Sequence, residues 1–290
     1  MNVSATVAGL LADATQRLAE SLQLDKHEAR IEARVLLAHA LAVDHAWLIA
    51  HDRDTPSPVQ QRAIADLIER RAGGEPVAYI LGQREFFGLE FCVSPAVLIP
   101  RPDTELLVEI ALKHVPEHVS SHLLDLGSGS GAIAVTLALK RPLARVLAVD
   151  ISIEALAVTQ ANAHKLGAGN MHCAAGNWYA ALGDQQFDLI VSNPPYIPAT
   201  DPHLTTGDLR YEPGLALASG HDGLRDLCAI IIGAPAHLSA TGWLLLEHGF
   251  DQAAAVGEFL RQTGFEQIFT ARDLAGLERV SGGRWPGAAD

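Results

Sequence analysis

From His122 onward the chain alternates between short apolar runs and helical stretches, and no other feature limits the possible folds as tightly. Seven strands are expected, at Leu123–Leu126, Arg145–Val149, Met171–Ala174, Phe187–Ser192, Gly242–Glu247, Glu266–Ala271 and Glu278–Gly282, with helices in most of the gaps. Such alternation buries strands on both faces and predicts a mostly parallel sheet covered by helices on each side. A doubly wound order sets the first and fourth strands side by side, with a crevice at their carboxyl ends. The expected fold class is therefore α/β, a doubly wound seven-stranded, mostly parallel sheet.

The first seventy or so residues read differently. Val7, Leu10, Leu11, Ala14, Leu18 and Leu22 follow helical spacing. Asp25 can cap a second helix with an apolar face of Ile31, Val35, Ala38 and Leu41. Ser57-Pro58-Val59-Gln60 is a start signal for a third, with Ala63, Ile64, Leu67 and Ile68 on its buried side. Ala72-Gly73-Gly74-Glu75-Pro76 breaks that pattern. Tyr79 to Val93 is rich in aromatic and β-branched residues, with Gly82 and Gly88, and reads as a β-hairpin. Pro100-Arg101-Pro102-Asp103 then turns into a helix near Asp103 or Thr104. The expected organisation is a helical domain over 1–74, a hairpin linker over 75–95 and a sheet domain over 96–290.

Two motifs carry chemistry. "LLDLGSGSGAIAVTLA" runs strand, glycine turn, helix. Gly127, Gly129 and Gly131 allow a sharp turn and close approach to a ligand, at the positive end of a helix; a tight strand–helix connection is the alternative. The next strand ends at Asp150, about twenty residues on, where an acid takes the hydroxyls of a ribose or caps the following helix. The spacing is G-x-G-x-G, with Ser128 and Ser130 between the glycines, not G-x-G-x-x-G, which favours a nucleoside without a diphosphate. After the third strand, Asn177 can accept from an adenine amino group and Trp178 offers a flat face, or packs in the loop.

The second motif is Asn193-Pro194-Pro195-Tyr196 at the end of the fourth strand. Asn193 and Pro194 both precede proline and are held extended. That fixes the Asn193 side-chain oxygen and the Pro194 carbonyl as two acceptors. A planar NH2 group fits between them, and Tyr196 can stack on its plane. Beyond it, Ile197 to Gly220 is a long polar connection of the kind that forms lids or docking loops. Within it Glu212 serves a salt bridge or a substrate contact, and Arg101 and Thr104 line the cleft rim or begin a capped helix.

Bulk properties narrow the partners. The formal charge of −13 argues against a broad electrostatic grip on nucleic acid. Cys92, Cys173 and Cys228 show no CxxC spacing and fit a reduced, cytoplasmic compartment. His114, His118 and His122 recur every four residues, but Pro116 interrupts any helix that would align them, so no metal is expected. No signal peptide is expected at the N-terminus, and no apolar run reaches membrane-spanning length.

The glycine turn, Asp150 and NPPY resemble S-adenosylmethionine-dependent methyltransferases that act on planar nitrogen. "VLIPRPDTELLVE", "DLGSGSGAIA", "SNPPYI", "EPGLALASGHDGL" and the helical N-terminal region together resemble the PrmC/HemK family of peptide chain release factor N5-glutamine methyltransferases, over nearly the whole chain. The resemblance implies the class I methyltransferase sheet and S-adenosyl-L-methionine as cofactor. It implies that Gly127, Ser128, Gly129, Ser130 and Gly131 cradle the methionine end, Asp150 the ribose, and Asn177 and Trp178 the adenine. Asn177 stands where the family often has Asp, and still accepts a hydrogen bond. Asn193, Pro194, Pro195 and Tyr196 would hold the glutamine of a Gly-Gly-Gln motif for direct in-line methyl transfer, with Asn193 also beside the cofactor. A class 1 release factor is the implied partner, docked by the N-terminal helices, and the family suggests a monomer. NPPY is shared with adenine-N6 methyltransferases of DNA or RNA. That alternative needs a strand-gripping module, which the acidic chain does not advertise.

Overall fold

The structure, a computed structural model, describes residues 6–287. Residues 1–5 and 288–290, the outer ends of the first and last expected domains, lie outside the described residues. The chain divides into two compact units. One takes the chain up to Gly82 together with Thr206–Tyr211, and the other takes Gln83–Thr205 and the chain from Glu212 onward.

The first unit is helical, with α1 (Val7–Leu22), α2 (Lys26–Leu41), α3 (His45–Ala50), α4 (Pro58–Ala72) and α5 (Val77–Leu81). Its helix starts are set by side chains. Asp25 accepts from the backbone of His27 and Glu28 at 2.7 and 3.0 Å. Ser57 and Gln60 form a reciprocal capping box. Asp44 accepts from Trp47 N at 2.7 Å and starts α3, a short helix not expected from sequence. The buried face of α2 includes the expected Ala38 and Leu41 but is centred elsewhere. Ala29, Ala33, Leu36 and Leu37 are fully buried, whereas Ile31 is about half exposed. Small alanines let α2 lie close to its neighbours, and the apolar face rotates toward them.

The hairpin also starts later than expected. Tyr79 to Leu81 belong to α5, entered at Pro76 and ended by Gly82 in the left-handed conformation. Periodicity cannot distinguish a five-residue buried helix from a strand. The strands are β1 (Gln83–Phe86) and β2 (Leu89–Cys92), paired antiparallel.

The second unit continues with α6 (Thr104–His114), β3 (His122–Leu126), α7 (Ala132–Lys140), β4 (Arg145–Asp150), α8 (Ile153–Leu166), β5 (Met171–Ala175) and β6 (Phe187–Ser192). It ends with α9 (Arg225–Gly233), β7 (Leu238–Glu247), α10 (Ala253–Thr263), β8 (Glu266–Arg272) and β9 (Glu278–Arg284). The seven strands lie in the order β5-β4-β3-β6-β7-β9-β8, and β9 alone runs antiparallel to its neighbours. This is the expected doubly wound, mostly parallel sheet. β3 and β6 are the adjacent pair where the winding reverses, with Leu126 opposite Ser192 at their ends.

Alternation along β3 shows both faces covered. Leu123 packs with Leu107 and Ala111 of α6 and Val135 of α7. Leu124 and Leu126 pack with Leu227 and Ile230 of α9 and Leu260 of α10. β7 begins at Leu238, four residues before the expected start, and its pairing with β6 shifts register between Phe187 and Leu189. His114 ends α6 and packs against Trp243, with ring centroids 4.0 Å apart and planes tilted by 31°. No helix among the described residues is long and apolar enough to cross a membrane.

Within the helical unit, Arg71 is a buried cation with two anionic partners. Its guanidinium donates to both Glu32 oxygens at 2.8 and 3.0 Å and to Asp208 Oδ1 at 2.7 Å. Arg71→Ala strands Glu32, whose side chain is 18% exposed, without its counter-charge. The expected loss is about 3 kcal/mol of unfolding free energy, read by urea denaturation; a loss near zero would assign the pair no structural role.

Candidate active site

The site is assembled where β3, β4 and β6 end. Side chains hold the backbone of the glycine turn. Gly129 N donates to Asp150 Oδ2 at 2.8 Å, tying the turn to the end of β4. Asp150 Oδ1 accepts from Ser152 N at 2.9 Å. Ser152 itself caps α8, accepting from Ala155 N at 3.1 Å, so Asp150 is not the helix cap. Thr159 donates to Gly129 O at 2.9 Å, and its oxygen lies 3.3 Å from the buried Ser128 hydroxyl.

The glycines answer different constraints. A Cβ at Gly129 would meet nothing within 4 Å and would project into open space. Gly131 has φ +80° and a Cβ there would lie 2.9 Å from Thr159 Cγ2. Gly131 is therefore required by helix packing, whereas Gly129 leaves room for a ligand. Asn162 braces the same turn from α8. It donates to Ser130 O and Cys92 O, each at 2.9 Å, and accepts from Cys92 N at 2.7 Å.

These groups face a cavity of about 500 Å³, within the range of small-molecule sites. Gly127, Ser128, Gly129, Ser130, Asp150, Asn177, Trp178, Asn193 and Pro195 all line it. Gly131, Pro194 and Tyr196 are not among its lining residues. Asn177 is exposed, and Trp178 adopts φ +51° with its ring against Gly127.

Asn193 Nδ2 donates to Thr104 Oγ1 at 3.1 Å, which leaves its Oδ1 as a free acceptor. Thr104 is buried at the first residue of α6. The Tyr196 hydroxyl donates to Glu247 Oε1 at 3.3 Å. Glu247 ends β7, is buried, and leaves Oε2 without a hydrogen bond. Burial pushes its carboxyl up to about 7, opposed by the Thr104 and Tyr196 hydroxyls. Burial also pushes the Tyr196 phenol well above its ordinary value.

Glu212 belongs to the fold's own wiring. Its buried carboxylate accepts from Ile99 N at 3.0 Å and from the Arg101 guanidinium. Arg101 and Thr104 both line the cavity, and Pro213, Leu215, Ala216 and Ala218 bring the long connection against it. That connection includes three short 3-10 turns, at Pro202–Thr205, Leu209–Tyr211 and Gly214–Ala216.

Asp125, Thr159, Asn162 and Glu247 escaped the sequence analysis. Asp125 is a polar residue inside an apolar run and Glu247 one at the end of such a run, while Thr159 and Asn162 sit in a mixed helical stretch that gives no local signal. Asp125 shares the Leu123 face of β3, where Ala134 N at the start of α7 donates to Oδ2 at 3.1 Å and Oδ1 has no partner.

Comparison with known proteins bears on both units. The PrmC N-terminal domain matches residues 9–82, and the methyltransferase small domain matches residues 103–207. The release factor glutamine methyltransferase of Bordetella pertussis is 51% identical over 92% of this chain and 98% of its own length. The protein of the same name from Pseudomonas aeruginosa is 48% identical over 92% of this chain and 97% of its own. Among solved structures, a methyltransferase from Pyrococcus furiosus superposes with a TM-score of 0.53 at 18% identity, covering 77% of this chain and all of that one. The human Mettl16 catalytic domain, bound to an RNA hairpin, gives 0.56 at 17% identity over 78% of this chain and 83% of that one. Likeness at that identity speaks for the methyltransferase fold alone.

Asp125 makes the site region pH-sensitive. Burial first, then the nearby Asp150 charge, raises it from 3.8 to about 7, against the Ala134 hydrogen bond. The folded protein thus holds a proton that the unfolded chain releases, and stability falls as pH rises between those two values. Its cost above neutral pH is on the order of 4 kcal/mol. In Asp125→Asn, the loss of unfolding free energy between pH 5 and pH 8 is expected to shrink by roughly 2 to 3 kcal/mol. Urea unfolding at both pH values checks this, and an unchanged difference would refute it.

Proposed function

Because the chain belongs to the release factor glutamine methyltransferase family, we propose that it methylates the side-chain amide nitrogen of the glutamine in the Gly-Gly-Gln motif of class 1 release factors. S-adenosyl-L-methionine, when bound, supplies an activated methyl group for direct in-line transfer to that nitrogen. The cavity fits such a group on its own terms. Gly129 leaves open space where a side chain would intrude, and the Asp150 carboxylate, fixed by two backbone donors, retains acceptor capacity toward a ribose. Gly127 to Ser130 would face the methionine end, and Asn177 and Trp178 the adenine.

The observation that carries the reading is the orientation of Asn193. Its NH2 is engaged by Thr104, so its oxygen is left to accept, on the wall of the cavity that also holds the glycine turn. An amide nitrogen is a weak nucleophile because its lone pair is shared with the carbonyl. Acceptors on its two hydrogens, Asn193 Oδ1 and the Pro194 carbonyl, hold its plane and leave density on nitrogen. A Tyr196 ring braced at its hydroxyl packs the plane between. The product sheds a proton readily, and no strong base is demanded of the site. A helical unit matching the PrmC N-terminal domain is the region that would dock the release factor. The enzyme would act in the cytoplasm as a monomer.

Asn193→Ala is expected to lower turnover by roughly 100-fold or more while S-adenosylmethionine affinity stays within about twofold of wild type. Labelled methyl transfer to purified release factor, beside a factor whose Gly-Gly-Gln glutamine is alanine and beside duplex DNA, tests the substrate. Label on the unaltered factor only supports the reading. Label on DNA alone would move the protein to adenine methylation.

A further inference from the structure

S-adenosyl-L-methionine ends in an amino acid, so one end of it brings a carboxylate that needs donors. The glycine turn has few to offer. Gly127 N and Ser128 N donate to Val149 O at 2.8 and 3.0 Å, Gly129 N to Asp150 Oδ2 at 2.8 Å and Gly131 N to Ser128 O at 2.7 Å. That leaves Ser130 N, a single neutral donor, at the turn. Close by, Asp125 Oδ2 takes Ala134 N at the start of α7. The Asp150 carboxylate on the same turn repels a second anion. A carboxylate brought into this cavity therefore calls for a cation.

Two arginines line the cavity, Arg101 and Arg225. Arg225 begins α9 and donates to Asp226 Oδ2 at 2.9 Å. Leu227 and Ile230 of α9 pack in the cluster that includes Trp178, the side proposed for adenine. Arg101 belongs with the amide site instead. Its carbonyl accepts from Thr104 N at 3.1 Å, and Thr104 in turn holds Asn193. The methyl group is used there, and the methionine chain extends from the sulfur that carries it.

Arg101 is anchored with donors to spare. Its Nη2 donates to Glu212 Oε1, while Glu212 Oε2 accepts from Ile99 N at 3.0 Å. The Glu212 side chain is fully buried, whereas that of Arg101 is 35% exposed. A guanidinium carries five donors in a rigid fork, so one anchored nitrogen leaves others for a second carboxylate. Arg71 shows the same use of the fork in the helical unit, where it serves Glu32 and Asp208 together.

We propose that Arg101, held in place by Glu212, binds the carboxylate at the methionine end of S-adenosyl-L-methionine. The inference rests on the reading that the cofactor occupies this cavity.

S-adenosylhomocysteine and its decarboxylated analogue, which keeps the amine, are titrated into full-length enzyme by calorimetry without release factor. Wild type is expected to bind S-adenosylhomocysteine roughly 10- to 100-fold more tightly than the analogue. Arg101→Met is expected to lose that factor for S-adenosylhomocysteine and to stay within about twofold of wild type for the analogue. Because Arg101→Met strands the buried Glu212 carboxylate, the Arg101→Met, Glu212→Gln pair is measured beside it, with thermal melting of each, and the same selective loss is expected. Arg101→Lys, which replaces a fork by a point charge, is expected to fall between. Arg225→Met should leave the ratio of the two affinities unchanged. A wild type without preference, an equal loss for both ligands in folded Arg101 variants, or a ratio abolished by Arg225→Met overturns the assignment. A wild type that binds neither ligand overturns the cofactor reading of the cavity as well.

Discussion

The parallel pairing of β3 with β6 is the constraint on which the rest of the molecule depends. It sets Leu126 opposite Ser192, and the Ser192 hydroxyl donates to Leu126 O at 2.6 Å where the two chains begin to diverge. One chain continues into the glycine turn and the other into Asn193-Pro194-Pro195-Tyr196. Two segments nearly seventy residues apart in sequence, as Leu126 and Ser192 are, therefore open into a single cavity. The crevice at a switch point follows from right-handed crossovers leaving in opposite directions, and the chemistry follows from which residues sit at the two ends.

Around that crevice, backbone geometry is held by polar side chains rather than by apolar packing. Asp150 fixes Gly129, Thr159 fixes its carbonyl, and Asn162 fixes Ser130 together with the end of the hairpin. These bonds lie in or near the core, where each is strong and where an unsatisfied partner is costly. Asp125 and Glu247 show that cost directly, each buried with one oxygen unpartnered and each raised to about 7.

Much of this was legible before any coordinates. The strand cores matched within a few residues, because apolar runs between turn signals have little choice in a two-sided sheet. The start of α4 was legible from Ser57, Pro58 and Gln60, since a capping box is local. The buried face of α2 was legible only in part: Ala38 and Leu41 are buried as expected, but Ile31 is exposed, and Ala29 and Ala33, which carry weak hydrophobic signal, are fully buried. The first residues of the expected hairpin became α5, where five residues and a Pro–Gly frame fit either state. The candidate site residues mostly converge on one cavity, while Gly131, Pro194 and Tyr196 stand outside its lining; Gly131 packs against Thr159, and the Tyr196 hydroxyl donates to Glu247.

The amino-acid sequence by itself determined the class of fold, the family, and the two motifs that flank the switch point, because periodicity, glycine spacing and paired prolines act over a few neighbouring residues. Tertiary structure alone decided which way the Asn193 amide faces, that Glu212 serves Arg101 and the Ile99 backbone, and that Glu247 meets the Tyr196 hydroxyl. Those are contacts between residues 51 to 113 positions apart, and no local pattern encodes a partner that only the fold brings within reach.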